Sequence, residues 1–397
     1  MRPSAQRRGR AVLIVPYHCE LLCAKRPPRG RSGGEPGCRR RCAPPAPHLR
    51  WPRRWAEGEQ EMTNVLVTVP LGEDFLTRLA AVDPRVCVSL APPELRRWLR
   101  GELAEESGLM AEVERQVQQY LEPAEVLVGW LQLQRPARAR AARLRWIQSL
   151  SAGIERADPK LYRDVVVTNA SGVAAPAMAE YVIAVMLMFA KAFPQMLRNQ
   201  LAHRWDRRLE AFELGGKTCG IVGMGAIGGE VARRAKALEM RVLGLRRSAV
   251  PRPTDQFADT LLLPAELPRL LAESDYVVLA APLTPETRHL IGAAELYQMK
   301  RTAVLINVGR GALIDEEALV AALHAGVIRG AGLDVFETEP LPPDSPLWEM
   351  ENVVVTPHFS AGGDRFAERA AELVCDNLRR YLAGEPLRNV VDLERGY

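Results

Sequence analysis

From residue 62 onward the apolar positions gather in short β-branched runs, separated by stretches with helical spacing. The runs at 64–69 (NVLVTV), 85–90 (RVCVSL), 125–129 (EVLVG), 144–148 (LRWIQ) and 164–168 (DVVVT) predict the strands of an α/β unit with a parallel sheet. Next comes a helix over roughly 174–193, whose uninterrupted apolar core is the ten residues from Tyr181 to Ala190. Ten residues are too few to cross a bilayer, so the pattern predicts a helix buried on most faces. A second α/β rhythm runs through 218–223 (TCGIVG), 241–245 (RVLGL), 276–280 (YVVLA), 303–307 (AVLIN), 331–335 (AGLDV) and 352–356 (NVVVT). The chain closes with an amphipathic helix near 362–384. No internal repeat or long linker interrupts this order.

Residues 1–61 carry no such pattern. They hold 14 Lys and Arg against 5 Asp and Glu, a net charge of +9, whereas the other 336 residues are net −4. The overall +5 therefore belongs to an N-terminal appendage and does not point to nucleic acid as a partner. The basic stretch 135–145 (RPARARAARLR) has no interleaved aromatics and reads as a solvated face. Four of the seven cysteines, Cys19, Cys23, Cys38 and Cys42, lie in the appendage beside His18 and His48. Their spacings match no common zinc pattern, so no metal site is expected. Residues 11–15 (AVLIV) are too short for a membrane span and stop at Pro16. The expectation is a disordered extension or a mis-set start, with the functional chain beginning close to Met62. With 47% hydrophobic and 25% charged residues, the rest is globular, which excludes a collagen or a wholly disordered chain.

The chemistry begins at Gly223-Met224-Gly225-Ala226-Ile227-Gly228, which lies between a predicted strand and a predicted helix. A tight turn, a close backbone approach to a pyrophosphate and close helix–strand packing each require glycine there, and the helix N-terminus faces the phosphates. With the next strand arriving on schedule, the motif predicts dinucleotide binding. Where an acidic residue would bond the ribose hydroxyl of NAD, the chain has Arg246, Arg247 and Ser248. Guanidiniums pair with a 2′-phosphate, so NADP(H) is the expected cofactor, with NAD(H) possible.

Three further strand ends carry candidate catalytic groups: Arg310 in INVGRG, Glu339 in LDVFETEP and His358 in VTPHFSAGG. His203, His289 and His324 have no such companions and read as solvated or packing residues. Ligands of open α/β sheets lie at the carboxyl ends of strands. A histidine oriented by a carboxylate supplies a proton near neutral pH, and a guanidinium holds a carboxylate by two parallel bonds.

With these motifs in this order, the chain from about residue 62 resembles the D-isomer-specific 2-hydroxyacid dehydrogenases, the family of glyoxylate/hydroxypyruvate reductases and phosphoglycerate dehydrogenase. The resemblance implies a Rossmann-type doubly wound sheet plus a smaller flavodoxin-like α/β substrate domain. It implies that Arg310 orients the substrate, that His358 is the acid/base and that Glu339 pairs with it. SAGI, 151–154, matches the family's carboxylate loop, placing Ala152, Gly153 and Ile154 against the substrate, with Trp130 as an active-site aromatic. Ala281, Pro282, Val308, Gly309, Asp334 and Ser360 join the glycine motif along the cofactor.

The expected activity is hydride transfer between NADP(H) and a small 2-keto or 2-hydroxy acid. The rival is a dinucleotide-sensing, corepressor-like protein with the same fold. The substrate domain is expected to be discontinuous, 62–172 plus 361–397, around a dinucleotide domain at 173–360. The apolar helix at 181–190 suggests the seam of a homodimer. A cytoplasmic protein without membrane or nucleic-acid partners completes the expectation.

Overall fold

In the computed structural model, residues 62–103, 108–131, 133–153, 158–248, 250 and 252–393 are described. The appendage at 1–61, with its expected disorder and rejected zinc reading, lies outside them, as does Ile154. Among the described residues the strands form two wholly parallel sheets.

The first sheet comprises β1 (Thr63–Val67), β2 (Val86–Leu90), β3 (Val126–Gly129), β4 (Trp146–Ser149) and β5 (Val166–Thr168), in the order β2-β1-β3-β4-β5. That is the flavodoxin-like order. The second comprises β6 (Thr218–Val222), β7 (Arg241–Leu245), β8 (Thr260–Leu262), β9 (Tyr276–Leu279), β10 (Val304–Asn307), β11 (Gly330–Leu333) and β12 (Val353–Val355). Its order, β12-β11-β10-β9-β6-β7-β8, is that of a Rossmann sheet extended by one strand. Both sheets are buried on both faces, which is why their strands read as continuous apolar runs. In the second sheet Cys219, Ile221, Val278 and Ile306 point into one core, and Val222, Val277, Leu279 and Leu305 into the other.

The helix Phe366–Ala383 returns to the first sheet. Ala370, Val374, Leu378 and Leu382 share a core with Val65, Val67, Phe75 and Leu79. Tyr381 stacks on Trp146 at 5.4 Å, and Asn377 Nδ2 donates to Gln148 Oε1 at 2.9 Å.

Two elements differ from expectation. Strand β8 lies outside the expected strands, because its three residues (TLL) sit in a run of leucines that includes Leu263 and carry no period of their own. The apolar stretch at 174–193 is one helix, Ala175–Ala190, then a break and a second helix, Phe193–Leu201. Ala192 adopts the left-handed conformation (φ 55°) at the break, and Pro194 can follow it only in a first turn. The first helix is covered within the chain: Val182, Val185, Met186 and Phe189 are buried against β6, β9 and the helix Ala226–Ala237. Leu187 on its outer side is exposed, and further exposed apolar side chains follow at Phe193, Met196, Leu197, Leu201 and Trp205. Among the described residues no single helix is long and apolar enough to cross a membrane.

Candidate active site

The dinucleotide motif occupies the turn from β6 into the helix Ala226–Ala237. Gly223 has φ +105°, and a Cβ there would lie 2.6 Å from the Ala281 nitrogen, so the turn admits only glycine. A Cβ on Gly228 would strike the Gly223 carbonyl oxygen at 2.1 Å. A Cβ on Gly225 would meet nothing within 4 Å, so the backbone is open to a ligand on that side. The first-turn N–H groups at Ala226, Ile227 and Gly228 face the same opening, where an α-helix has no acceptors of its own. These residues fit the pyrophosphate of a dinucleotide.

At the end of β7 the structure corrects one expectation. Arg246 is buried, and its Nη1 lies 2.9 Å from Asp255 Oδ2. Its charge is spent inside the protein, not presented to a ribose. Asp255 is nine residues away in a Pro-flanked turn, so spacing alone gave no hint of the pair. Arg247 is exposed and Ser248 half-exposed. The charge of Arg247 reaches Glu286, beyond β9, whose carboxyl is held low first by a Thr284 hydrogen bond and least by Arg247. Ala281 and Pro282 follow β9, and Val308 and Gly309 follow β10.

The loops after β10, β11 and β12 carry the candidate catalytic groups. His358 Nδ1 and Glu339 Oε2 are 2.8 Å apart. Glu339 Oε1 accepts from the Phe336 N–H at 3.1 Å, which fixes the carboxylate. Arg310 Nη1 donates to the Gly309 carbonyl at 2.7 Å, while Asn307 clamps the turn through Gly309 N–H and the Arg310 carbonyl. Gly311 lets this turn press on the Glu339 loop, since a Cβ there would lie 1.9 Å from the Phe336 carbonyl carbon.

Asp334 is fully buried beneath these loops. Its carboxylate accepts from Thr356 Oγ1 (2.6 Å), Phe359 N–H (2.8 Å) and Ser360 N–H (2.9 Å), and its carbonyl accepts from His358 N–H (2.8 Å). It binds down the loop that carries His358, and the Ser360 amide is already committed to it. Tyr181 extends the network at 2.8 Å from Thr356 Oγ1. Burial, above all, pushes the Tyr181 phenol up to about 12. Tyr181 and Thr356 were not among the expected site residues. The only signals were a lone hydroxyl in an apolar helix and a threonine two places before His358.

His289, read as solvated or packing, has its Nε2 2.7 Å from Glu337 Oε1 on the Glu339 loop. On the first sheet, Trp130 follows β3 and is 39% exposed. Ala152 and Gly153 follow β4; the Ala152 carbonyl is held by Asn169 Nδ2 at 2.9 Å. Among the described residues, the amide N–H groups of Ala152 and Gly153 find no acceptor.

The family model described as "D-isomer specific 2-hydroxyacid dehydrogenase, NAD binding domain" matches residues 183–360. A glyoxylate reductase of Korarchaeum cryptofilum is 40% identical over 265 residues, 64% of this chain and 78% of that one. A D-3-phosphoglycerate dehydrogenase of Methanocaldococcus jannaschii is 34% identical over 84% of this chain, which spans 60% of that longer enzyme. A D-isomer specific 2-hydroxyacid dehydrogenase of Xanthobacter autotrophicus Py2, solved with NADPH and MES, superposes with a TM-score of 0.69 at 32% identity, covering 85% of this chain and all of that one. The chain belongs to the D-isomer specific 2-hydroxyacid dehydrogenase family, and its second sheet, with the helices around it, is the family's nicotinamide dinucleotide-binding unit.

Proposed function

We propose that the protein is an NADPH-dependent reductase of a small 2-keto acid, with glyoxylate or hydroxypyruvate as substrate. The observation that carries this reading is the 2.8 Å bond between His358 and Glu339 at the carboxyl edge of the dinucleotide-binding sheet. Reduction requires a hydride at C2 and a proton at the carbonyl oxygen. The bound nicotinamide supplies the hydride. With Nδ1–H donating to Glu339, the proton on His358 Nε2 is the one available for transfer. The Arg310 guanidinium holds the carboxylate and polarises the carbonyl, and the Ala152 and Gly153 amides take the carboxylate from the other sheet.

NADPH preference falls to Arg247 and Ser248, because Arg246 is paired with Asp255. The NADPH bound by the Xanthobacter relative supports this choice. The exposed residues Phe193, Met196, Leu197, Leu201 and Trp205 form an apolar patch that a homodimer would cover, and sedimentation at micromolar concentration tests it.

The deciding experiment is turnover of glyoxylate and hydroxypyruvate by the full chain with each cofactor. One charge-assisted guanidinium–phosphate contact favours NADPH by roughly ten- to a hundredfold in kcat/KM. Arg247→Asp should move preference toward NADH. Equal kcat/KM with both cofactors would refute the cofactor reading. Tight NADPH binding without turnover would overturn the enzyme reading in favour of a sensing protein.

A further inference from the structure

In the proposed reaction the loop after β4 takes the substrate carboxylate on two amides, yet this loop has no regular structure of its own. Its grip comes from the loop after β5. Ala170 N–H donates to the Ser151 carbonyl at 3.0 Å, and Asn169 Nδ2 donates to the Ala152 carbonyl at 2.9 Å. The second bond bears directly on the site. The Ala152 carbonyl and the Gly153 N–H belong to one rigid peptide plane and point in opposite directions. A donor on that oxygen therefore fixes where the N–H points. It also draws charge toward the oxygen, which strengthens the N–H as a donor to an anion.

Asn169 is itself held from outside the loop. It is buried, and its Oδ1 accepts from the Ser171 N–H at 3.0 Å. Its backbone N–H donates to the Asn389 carbonyl at 3.0 Å, and Asn389 Nδ2 donates back to the Asn169 carbonyl at 3.2 Å and to the Ser171 carbonyl at 2.9 Å. Asn389 belongs to a segment that runs antiparallel along β5, the edge strand of the first sheet. Val390 stands opposite Thr168, and Val391 N–H donates to the Val167 carbonyl at 2.9 Å. Leu387 and Val391 are buried on either side of Asn389, and Asn377 Oδ1, on the helix Phe366–Ala383, accepts from the Arg388 N–H at 2.7 Å. Asn389 has φ 55°, a left-handed conformation that asparagine and glycine tolerate better than other residues. Pairing along the sheet edge needs only backbone groups. The Asn389 side chain goes beyond it and grips the two carbonyls that flank Ala170, the residue that holds Ser151.

We propose that Asn169 and Asn389 are positioning residues for the substrate: Asn169 aims the Gly153 N–H at the carboxylate, and Asn389 holds Asn169 in place. This rests on the keto-acid reading, in which that N–H meets the substrate. The carboxylate does not react, so the contact is the same in the bound keto acid and in the transition state. Loosening it raises KM and leaves kcat largely intact. NADPH belongs to the second sheet, so its affinity does not follow.

The test compares the full chain with Asn389→Gly, Asn169→Ala and the double variant. Glycine keeps the left-handed backbone and removes the amide. KM for glyoxylate and hydroxypyruvate should rise roughly three- to thirtyfold in each single variant. The value of kcat should stay within about threefold, and the dissociation constant of NADPH, read by fluorescence, should not change. The inhibition constant of oxalate, a carboxylate that takes no hydride, should rise with KM. Because both residues act on one peptide, the double variant should be no worse than Asn169→Ala. Were Asn169→Ala not to fold, Asn389→Gly decides alone through KM, oxalate and NADPH. An unmoved KM in Asn389→Gly, or an equal loss of NADPH affinity, would overturn the proposal and leave the segment as cover for the sheet edge. Effects that multiply in the double variant would overturn it too. No turnover of either acid by the unmodified chain would overturn the keto-acid reading, and the positioning role with it.

Discussion

His358 is placed by its backbone as much as by its ring. Its φ of 53° lies in the left-handed region, which costs a non-glycine residue on the order of 1–3 kcal/mol unless its surroundings hold it there. Here the hold is visible: its N–H donates to the Asp334 carbonyl, and its Nδ1 meets Glu339. This makes asparagine the informative replacement, because it tolerates the left-handed region and leaves the loop in place. His358→Asn should lower kcat for keto-acid reduction by roughly 10²–10⁴-fold, the usual contribution of general acid catalysis. NADPH affinity, read by fluorescence, should change little. Glu339→Gln should cost less, about ten- to a hundredfold, since it loosens the orientation of the ring without removing it. Full activity in the asparagine variant would mean that His358 is not the proton donor. Residue identity in the motif was legible in the sequence; side-chain direction was not. Arg246 and Arg247 are neighbours of the same type, yet one turns inward to Asp255 and the other outward, because the pairing partner comes from a turn the spacing does not reveal.

Long strands and the strand–glycine–helix unit announce themselves because their residues are chosen by burial and by close backbone approach. Three-residue β8 and the break at Ala192 do not, because a run of leucines or alanines serves helix, strand and turn alike. Contacts between elements are harder still. The Tyr181–Thr356–Asp334 chain joins the helix Ala175–Ala190 to the end of β12 and the end of β11, residues up to 175 positions apart. It gives the loop that carries His358 a fixed seat on the helix that leads into the dinucleotide-binding unit. Thr356→Val removes a donor from a buried carboxylate and should cost about 1–3 kcal/mol in urea unfolding. The same variant should lower kcat, since the backbone of Phe359 and Ser360 shares that carboxylate. Tyr181→Phe keeps the Thr356 bond and should cost only about 0.5–1.5 kcal/mol. A Thr356→Val enzyme with unaltered stability and kcat would show that Asp334 seats the loop without help from the helix.

Across the whole molecule, the division into two α/β units was legible because each sheet repeats one rhythm of apolar runs. The covering of the first apolar helix was not, because hydrophobicity alone does not say whether a surface is closed by the same chain or by another. The core beneath it also holds ionisable groups, whose protons bear on stability at alkaline pH. Cys219 on β6 and Tyr276 on β9 are register partners, side by side beneath the helix Ala175–Ala190. Burial pushes the Cys219 thiol up to about 12, and burial first, with Cys219 among the lesser causes, pushes Tyr276 up to about 12. In the unfolded chain a thiol ionises near 8.5 and a phenol near 10. The folded chain therefore holds these protons after the unfolded chain has begun to lose them. Their contribution to stability is complete below the unfolded values and is lost as pH rises toward 12. A thiol proton held roughly a thousandfold more tightly in the folded state corresponds to about 4 kcal/mol across that interval. The melting temperature should therefore fall steadily between pH 8.5 and 11. Cys219→Ala should start from a lower melting temperature at pH 7, because it opens a small cavity, but should decline less steeply over the same range. Parallel declines in the two proteins would mean that the Cys219 thiol does not govern the alkaline loss.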